Sequence, residues 1–240
     1  MALNKQKGNM YGFITHTWNV IKGKCPHNCE YCYMKIFPQG EIRFDGKELK
    51  TNLGRNNFIF VGSSCDMFAQ TIPKEWIIKI LDYCKRFPEN TYLFQTKNPL
   101  RFTELRNELI SMNCILGTTI ETNREGFNYN APTIKERIEG MKIKGFRKMI
   151  TIEPIIDFDV NVLSDLIESV EPEFVNIGAD SKNHNLPEPS AFKIENLIKR
   201  LKEFTKSISK ENLSRLTKLN KGNDGIPPSP KGKGILPTII

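Results

Sequence analysis

Short runs of β-branched and aromatic residues alternate along this chain with longer segments in which apolar residues recur every three or four positions. Residues 57–62 (NFIFVG), 91–96 (TYLFQT), 115–121 (ILGTTIE), 148–153 and 174–179 read as strands, and a first strand is expected near 11–20. The helical segments fall between them. In PKEWIIKILDYCKRF, residues 73–87, a proline and an acidic residue open the first turn, and Trp76, Ile77, Ile80, Leu81 and Cys84 share one face. Pro88 stops it. Further helices are expected after Pro99, over roughly 133–141, over 160–170 and from about 190 to 205.

Six successive strand and helix units joined by right-handed crossovers predict an α/β fold, a partial (β/α)6 TIM-like barrel of parallel strands with outer helices. In such folds the chemistry sits at the C-terminal strand ends. Residues 1–204 are assigned to the barrel. Residues 205–240 read as a basic, disordered C-terminal extension, because the stretch KGNDGIPPSPKGKGILPTII that ends it is too rich in Gly, Pro and Lys to pack. No internal repeat is visible.

A length of 240 residues supports one substantial core. No run of eighteen apolar residues occurs and residues 1–9 are polar, which predicts a cytoplasmic protein with no membrane partner. The net charge is +8, but seven Lys or Arg lie within 205–240 against only Glu211 and Asp224. Most of the excess therefore belongs to the extension, and the charge alone makes only a weak case for nucleic acid.

Six cysteines in a reducing compartment read as ligands, reactive thiols or buried hydrophobes rather than as disulfides. Three of them fall within eight residues, Cys25-Pro-His-Asn-Cys29-Glu-Tyr-Cys32, directly after the first strand. Three thiolates on one short loop can hold three irons of a cubane and leave the fourth open to a ligand. The competing reading is a zinc knuckle with His27 as fourth ligand, part of a zinc-stabilised nucleic-acid-binding module. Four ligands in eight residues crowd a tetrahedron, however, and zinc modules space their ligand pairs more widely. Cys84 and Cys114 read as core, and Cys65, in the polar loop after the second strand, is also expected to pack.

The cysteine spacing, with aromatic Tyr31 before the last thiol, resembles the radical S-adenosylmethionine superfamily. That resemblance implies a 4Fe-4S cluster on Cys25, Cys29 and Cys32, and an external electron donor. It also implies S-adenosylmethionine chelating the open iron, cleaved to methionine and a 5'-deoxyadenosyl radical that takes hydrogen from a substrate not legible in the sequence. Further segments are similar to a phage- and bacterium-encoded three-cysteine branch of unknown function: Thr17-Trp18-Asn19, the run from Phe60 to Phe68, Phe94-Gln95-Thr96-Lys97-Asn98-Pro99, Gly117-Thr118-Thr119-Ile120-Glu121, Ile152-Glu153-Pro154 and the run from Ile177 to Ser181.

The resemblance marks Tyr31, Ser63, Ser64, Asp66, Thr96, Lys97, Thr119, Glu121, Arg137 and Glu153 as candidates to bind the cofactor. Ser63 and Ser64 stand where many relatives carry a Gly-Gly-Glu segment that meets its amino group, so Asp66 or Glu121 is expected to substitute. Thr119 and Glu121 match the position that meets the ribose, and Arg137 is expected to pair with the cofactor carboxylate. Glu121 and Glu153 each end an apolar strand, where a carboxylate needs a partner or water.

Overall fold

Strands buried on both faces pair in parallel when helices cover them, and the sequence supplies such strands in series. In the computed structural model, which describes residues 3–6, 8, 10–126 and 130–217, eight strands form one sheet. In chain order the elements begin with β1 (Asn4–Lys5), β2 (His16–Trp18) and the ribbon β3 (Ile21–Lys22) with β4 (Arg43–Phe44). Then come β5 (Phe58–Val61), α1 (Lys74–Lys85), β6 (Thr91–Thr96), α2 (Leu100–Glu104) and α3 (Arg106–Leu109). The chain continues through β7 (Cys114–Thr119), α4 (Ile134–Met141), β8 (Arg147–Ile152), α5 (Val160–Glu168) and β9 (Phe174–Ile177). It closes with α6 (Ala191–Leu201), β10 (Lys206–Ser209) and α7 (Ser214–Thr217).

The sheet order is β1-β2-β5-β6-β7-β8-β9-β10, parallel throughout except for β1, which lies antiparallel on β2. The α/β barrel-like architecture agrees with the expected class, but the count of six units does not describe it. β2 is followed by the cysteine loop and the β3–β4 ribbon rather than by a helix, and β10 adds a parallel strand beyond the sixth.

The expected first strand is also shorter than 11–20. A turn closes from Ile14 N to Tyr11 O (3.0 Å), and Tyr11 and Ile14 pack instead inside the curve of the sheet. The assigned extension is corrected at its start. Residues 206–209 pair with β9, and Leu213 and Leu216 are buried against the core, so β10 and α7 belong to the fold. Leu213 and Leu216 supply apolar anchors that a count of Gly, Pro and Lys overlooks. The remainder of that assignment, 218–240, lies outside the described residues.

Alternation along the strands gives the sheet two different faces. Val61, Phe94, Leu116, Ile150, Val175 and Ile177 point into the layer beneath the helices. The opposite face carries Phe60, Leu93, Ile115, Met149 and Phe174, which with Tyr11 and Ile14 make an apolar floor. Farther along the same face come Thr119, Thr151 and Asn176, adjacent in register, and then the charged residues just past the strand ends. Polarity therefore rises toward the C-terminal ends, where the cysteine loop lies.

Candidate functional site

β2 ends at Trp18, and β3 carries the chain into the cysteine loop through Gly23. Gly23 has φ +107, and a Cβ there would fall 2.2 Å from Glu41 O, so only glycine lets the two arms of this loop close. Successive turns follow: Asn28 N donates to Cys25 O (3.2 Å), Cys32 N to Cys29 O (3.1 Å) and Lys35 N to Cys32 O (3.0 Å). They leave Cys29 buried and Cys25 and Cys32 half-buried.

Burial pushes the Cys29 thiol up to about 11, opposed by the nearby Lys97 ammonium. Its neighbours Cys25 and Cys32 also act on it through their charge. A fourth thiol lies beside them. Cys65 is buried, as expected of a packed cysteine, but its S–H also bonds to Cys25, which lowers the Cys25 thiol and raises that of Cys65.

His27 is 3 % exposed and both ring nitrogens are engaged, Nδ1 with Asn130 O (3.1 Å) and Nε2 with Asp66 Oδ2 (2.8 Å). Both partners are acceptors, so the ring carries both protons. Burial disfavours that charge, but Asp66 outweighs it and raises the imidazole above its ordinary range. Asp66 also accepts from Thr96 Oγ1 (2.9 Å), Lys97 N (2.8 Å) and Phe68 N (3.0 Å). Burial pushes its carboxyl up; His27 and these donors outweigh that and hold it below its ordinary value. This one side chain therefore ties the cysteine loop to the end of β6, and His27 is a bolt in that tie rather than a ligand.

Glu121, fully buried, is the second centre. One oxygen accepts from Lys97 Nζ and Tyr31 OH, the other from Arg137 Nη1 at 2.8 Å. Lys97 Nζ also reaches Tyr31 OH at 2.5 Å and lies 4.9 Å from the centre of that ring. Burial pushes the carboxyl up, yet Lys97 and Arg137 outweigh it and hold it below its ordinary value. Arg137 has no solvent exposure and donates to Thr119 O (3.0 Å) and Pro132 O (2.8 Å) as well. The structure thus places it as a clamp behind Glu121, away from any open surface.

The third centre lies across the sheet. Lys210 Nζ bonds both oxygens of Glu153 (2.8 and 2.9 Å) and lies 5.0 Å from the centre of the Tyr11 ring. Burial raises the Glu153 carboxyl, and Lys210 opposes this only in part. A Cβ on Gly178 would fall 2.8 Å from Glu153 Cδ, so this glycine makes the room for the carboxylate. Tyr11 OH donates to Gln95 Oε1 (2.9 Å), and Gln95 Nε2 to Thr119 Oγ1 (3.2 Å). Ser63 and Ser64 stand apart from both charged groups, held at the end of β5 by Asn19 Oδ1, which accepts from Ser63 Oγ (3.3 Å) and Ser64 N (3.0 Å).

Of the residues singled out from sequence, Tyr31, Asp66, Thr96, Lys97, Glu121 and Arg137 meet in two linked networks around the cysteine loop. Glu153 belongs to another. Sequence reasoning missed Asn19, His27, Gln95 and Tyr11 as parts of these networks, and Lys210 was hidden in the stretch assigned to the extension. Among the described residues, no three His, Cys, Asp or Glu side chains converge as ligands of a single ion. A cubane takes one thiolate per iron, so its ligands stand at separate corners rather than meeting at one point. Three soft thiols on one loop beside a lysine suit such a cluster.

Solved structures share this fold. A doubly substituted spore photoproduct lyase with bound AdoMet and dinucleoside spore photoproduct superposes with TM-score 0.57 at 11% identity, over 85% of this chain and 66% of that one. This chain thus spans just under two thirds of that protein. A singly substituted form of the same lyase gives TM-score 0.62 at 9% identity, over 87% and 80%. No curated protein sequence matches. No helix among the described residues is long and apolar enough to cross a membrane. A family model described as "Protein of unknown function (DUF5131)" matches residues 10–191, three quarters of the chain, and the protein therefore belongs to that family.

Proposed function

We propose that this protein is a radical enzyme, with a 4Fe-4S cluster held by Cys25, Cys29 and Cys32 and S-adenosylmethionine bound beside it. The observation that carries the reading is the position of the three thiols. They lie on one short loop over the C-terminal ends of a parallel sheet, next to Lys97, in a fold shared with a lyase that binds AdoMet. When bound, the cluster supplies the electron that splits the cofactor and generates the hydrogen-abstracting radical.

The chain's own residues divide by exposure into those that touch a ligand and those that support them. Lys97 and Glu153 keep 12% and 19% of their side chains open, and Ser63 and Ser64 are half-buried, so these four are assigned to direct contact. Thr96, Glu121 and Arg137 are sealed and act from behind. Glu121 fixes Lys97 and Tyr31, and Arg137 neutralises Glu121. Asp66 and His27 hold the cysteine loop in place against β6. The apolar floor and the Gln95, Thr119 and Thr151 layer close the far side from water, which protects a radical from side reactions.

The substrate is assigned to the space facing Glu153 and Lys210. The structural neighbour was solved with a dinucleoside photoproduct, so DNA photoproducts and nucleosides are the first substrates to assay. The test is electron paramagnetic resonance of anaerobically reconstituted, dithionite-reduced protein with and without S-adenosylmethionine. A reduced 4Fe-4S signal that changes on adding the cofactor supports the reading; retained zinc with no such signal sinks it in favour of a binding module.

A further inference from the structure

The 3-10 turn Tyr33–Ile36 starts directly after Cys32, its N-cap, and buries none of its residues. Tyr33, Ile36 and Phe37 are 43%, 60% and 52% exposed. The other large exposed hydrophobics among the described residues, Leu100, Ile110, Val162, Phe192 and Ile208, are scattered singly along the chain, as on any protein surface. Three within five residues form a patch, and a patch calls for an occupant.

The patch is rigid. Tyr33 OH donates to Ser63 O (2.8 Å), Phe37 N to Met34 O (3.0 Å) and Gln39 Nε2 to the same carbonyl (3.0 Å). Lys24 N to Gly40 O (2.9 Å) ties its far end back to the start of the cysteine loop. A cleft of about 340 Å³ opens beside it, lined by Met34, Phe37, Pro38, Arg43 and Ser64 among others. The segment 22–50 that carries the patch has a modest basic excess of two charges: Lys22, Lys24, Lys35, Arg43, Lys47 and Lys50 against Glu30, Glu41, Asp45 and Glu48, with Lys22 paired to the last two carboxylates.

We propose that this face docks the protein that reduces the cluster, an acidic one-electron carrier with its flavin or iron-sulfur group at its surface. The inference rests on the cluster reading of Cys25, Cys29 and Cys32. The location suits a donor rather than a substrate. The cleft is bordered by Asn4 of β1 and by the β3–β4 ribbon, at the β1 end of the strand order, whereas Glu153 follows β8 and Lys210 follows β10, toward its other end. The size also suits it, because electron-transfer partners meet over small surfaces and are drawn together by opposite charge. One electron passes from the reduced carrier to the oxidised cluster, with no bond made or broken.

The experiment compares two reductants on reconstituted full-length protein, following the bleaching of cluster absorbance by stopped flow. The probes are an acidic flavodoxin in its hydroquinone form and dithionite. The combined Ile36→Glu and Phe37→Glu variant is expected to slow flavodoxin-driven reduction by about tenfold or more and leave dithionite reduction unchanged. Lys24→Glu with Lys35→Glu should do the same, and added salt should slow the wild-type reaction with flavodoxin. Equal flavodoxin rates in wild type and both variants would overturn the proposal. So would a wild type that dithionite reduces and flavodoxin does not, or a patch variant whose only change is loss of dimerisation or of nucleic-acid binding. A wild type with no dithionite-reducible cluster removes the cluster reading itself, and the docking proposal with it.

Discussion

Glu121 illustrates how strongly single side chains are constrained here. Its carboxylate sits between Lys97, Tyr31 and Arg137 with no exposure to solvent. Removing its charge takes a carboxylate away from a buried arginine, and breaking a buried pair in this way costs about 3–5 kcal/mol. Glu121→Gln is therefore expected to lower the urea midpoint sharply, and a loss within about 0.5 kcal/mol of zero would show that Arg137 finds compensation elsewhere. Gly178→Ala tests the neighbouring carboxylate. The added methyl would press on Glu153 and push it from Lys210, an overpacking cost of about 1–3 kcal/mol. Thermal denaturation of Gly178→Ala alone and in combination with Glu153→Ala checks this, because the shorter side chain should relieve most of the penalty.

At the scale of elements, β10 is the decisive segment. It covers the edge of β9, carries the chain to Lys210, and is followed by Leu213 and Leu216, which pack on the core. A chain ended at residue 204 would expose that edge, take Lys210 away from Glu153 and lose about 1.5–3 kcal/mol for each buried leucine. It is expected to aggregate on size-exclusion chromatography, whereas a chain ended at 217 keeps every described element and should elute as a folded species. Equal behaviour of the two would remove β10 from the fold's essential parts. The sequence signals explain why this strand was overlooked and the others were not. β5, β6 and β7 are buried on both faces, and that produces unbroken apolar runs bounded by turn residues. The KSIS of β10 is an exposed edge with one isoleucine, itself exposed, and its place in the sheet is set by pairing with β9, distant in sequence. The site follows the same rule. The three cysteines were legible because their spacing is local, and Asp66, Lys97 and Glu121 because they punctuate strand ends. His27, Asn19 and Lys210 were not, since their roles are fixed by contacts 39, 45 and 57 residues away.

At the scale of the molecule, buried charge makes stability depend on pH in two opposing ways. Asp66 and Glu121 have carboxyls held below their ordinary values in the fold, against the upward push of burial, by His27 and by Lys97 with Arg137. Each takes up a proton in the unfolded chain before it does so in the folded one. Their contribution is thus complete above the ordinary carboxylate range and is lost as pH falls toward the folded values. Glu153 runs the other way. Burial raises its carboxyl, so the folded state favours the protonated form, and its contribution is present in acid and lost as pH rises through the raised value. The urea midpoint of the wild type should therefore fall below about pH 4.5, with Glu153 softening the fall, and should also decline as pH rises through the raised value of the His27 imidazole, whose pairing with Asp66 is present only while it is protonated. Two substitutions separate these contributions. Glu121→Gln, though less stable at pH 7, should show a shallower acid decline than wild type, and Glu153→Gln a steeper one, each tenfold difference in proton affinity between folded and unfolded chain counting for about 1.4 kcal/mol. If both variants changed the acid slope in the same direction, the two carboxylates would not be held oppositely, and the division into a sealed support group around Glu121 and an open, ligand-facing Glu153 would fail with it.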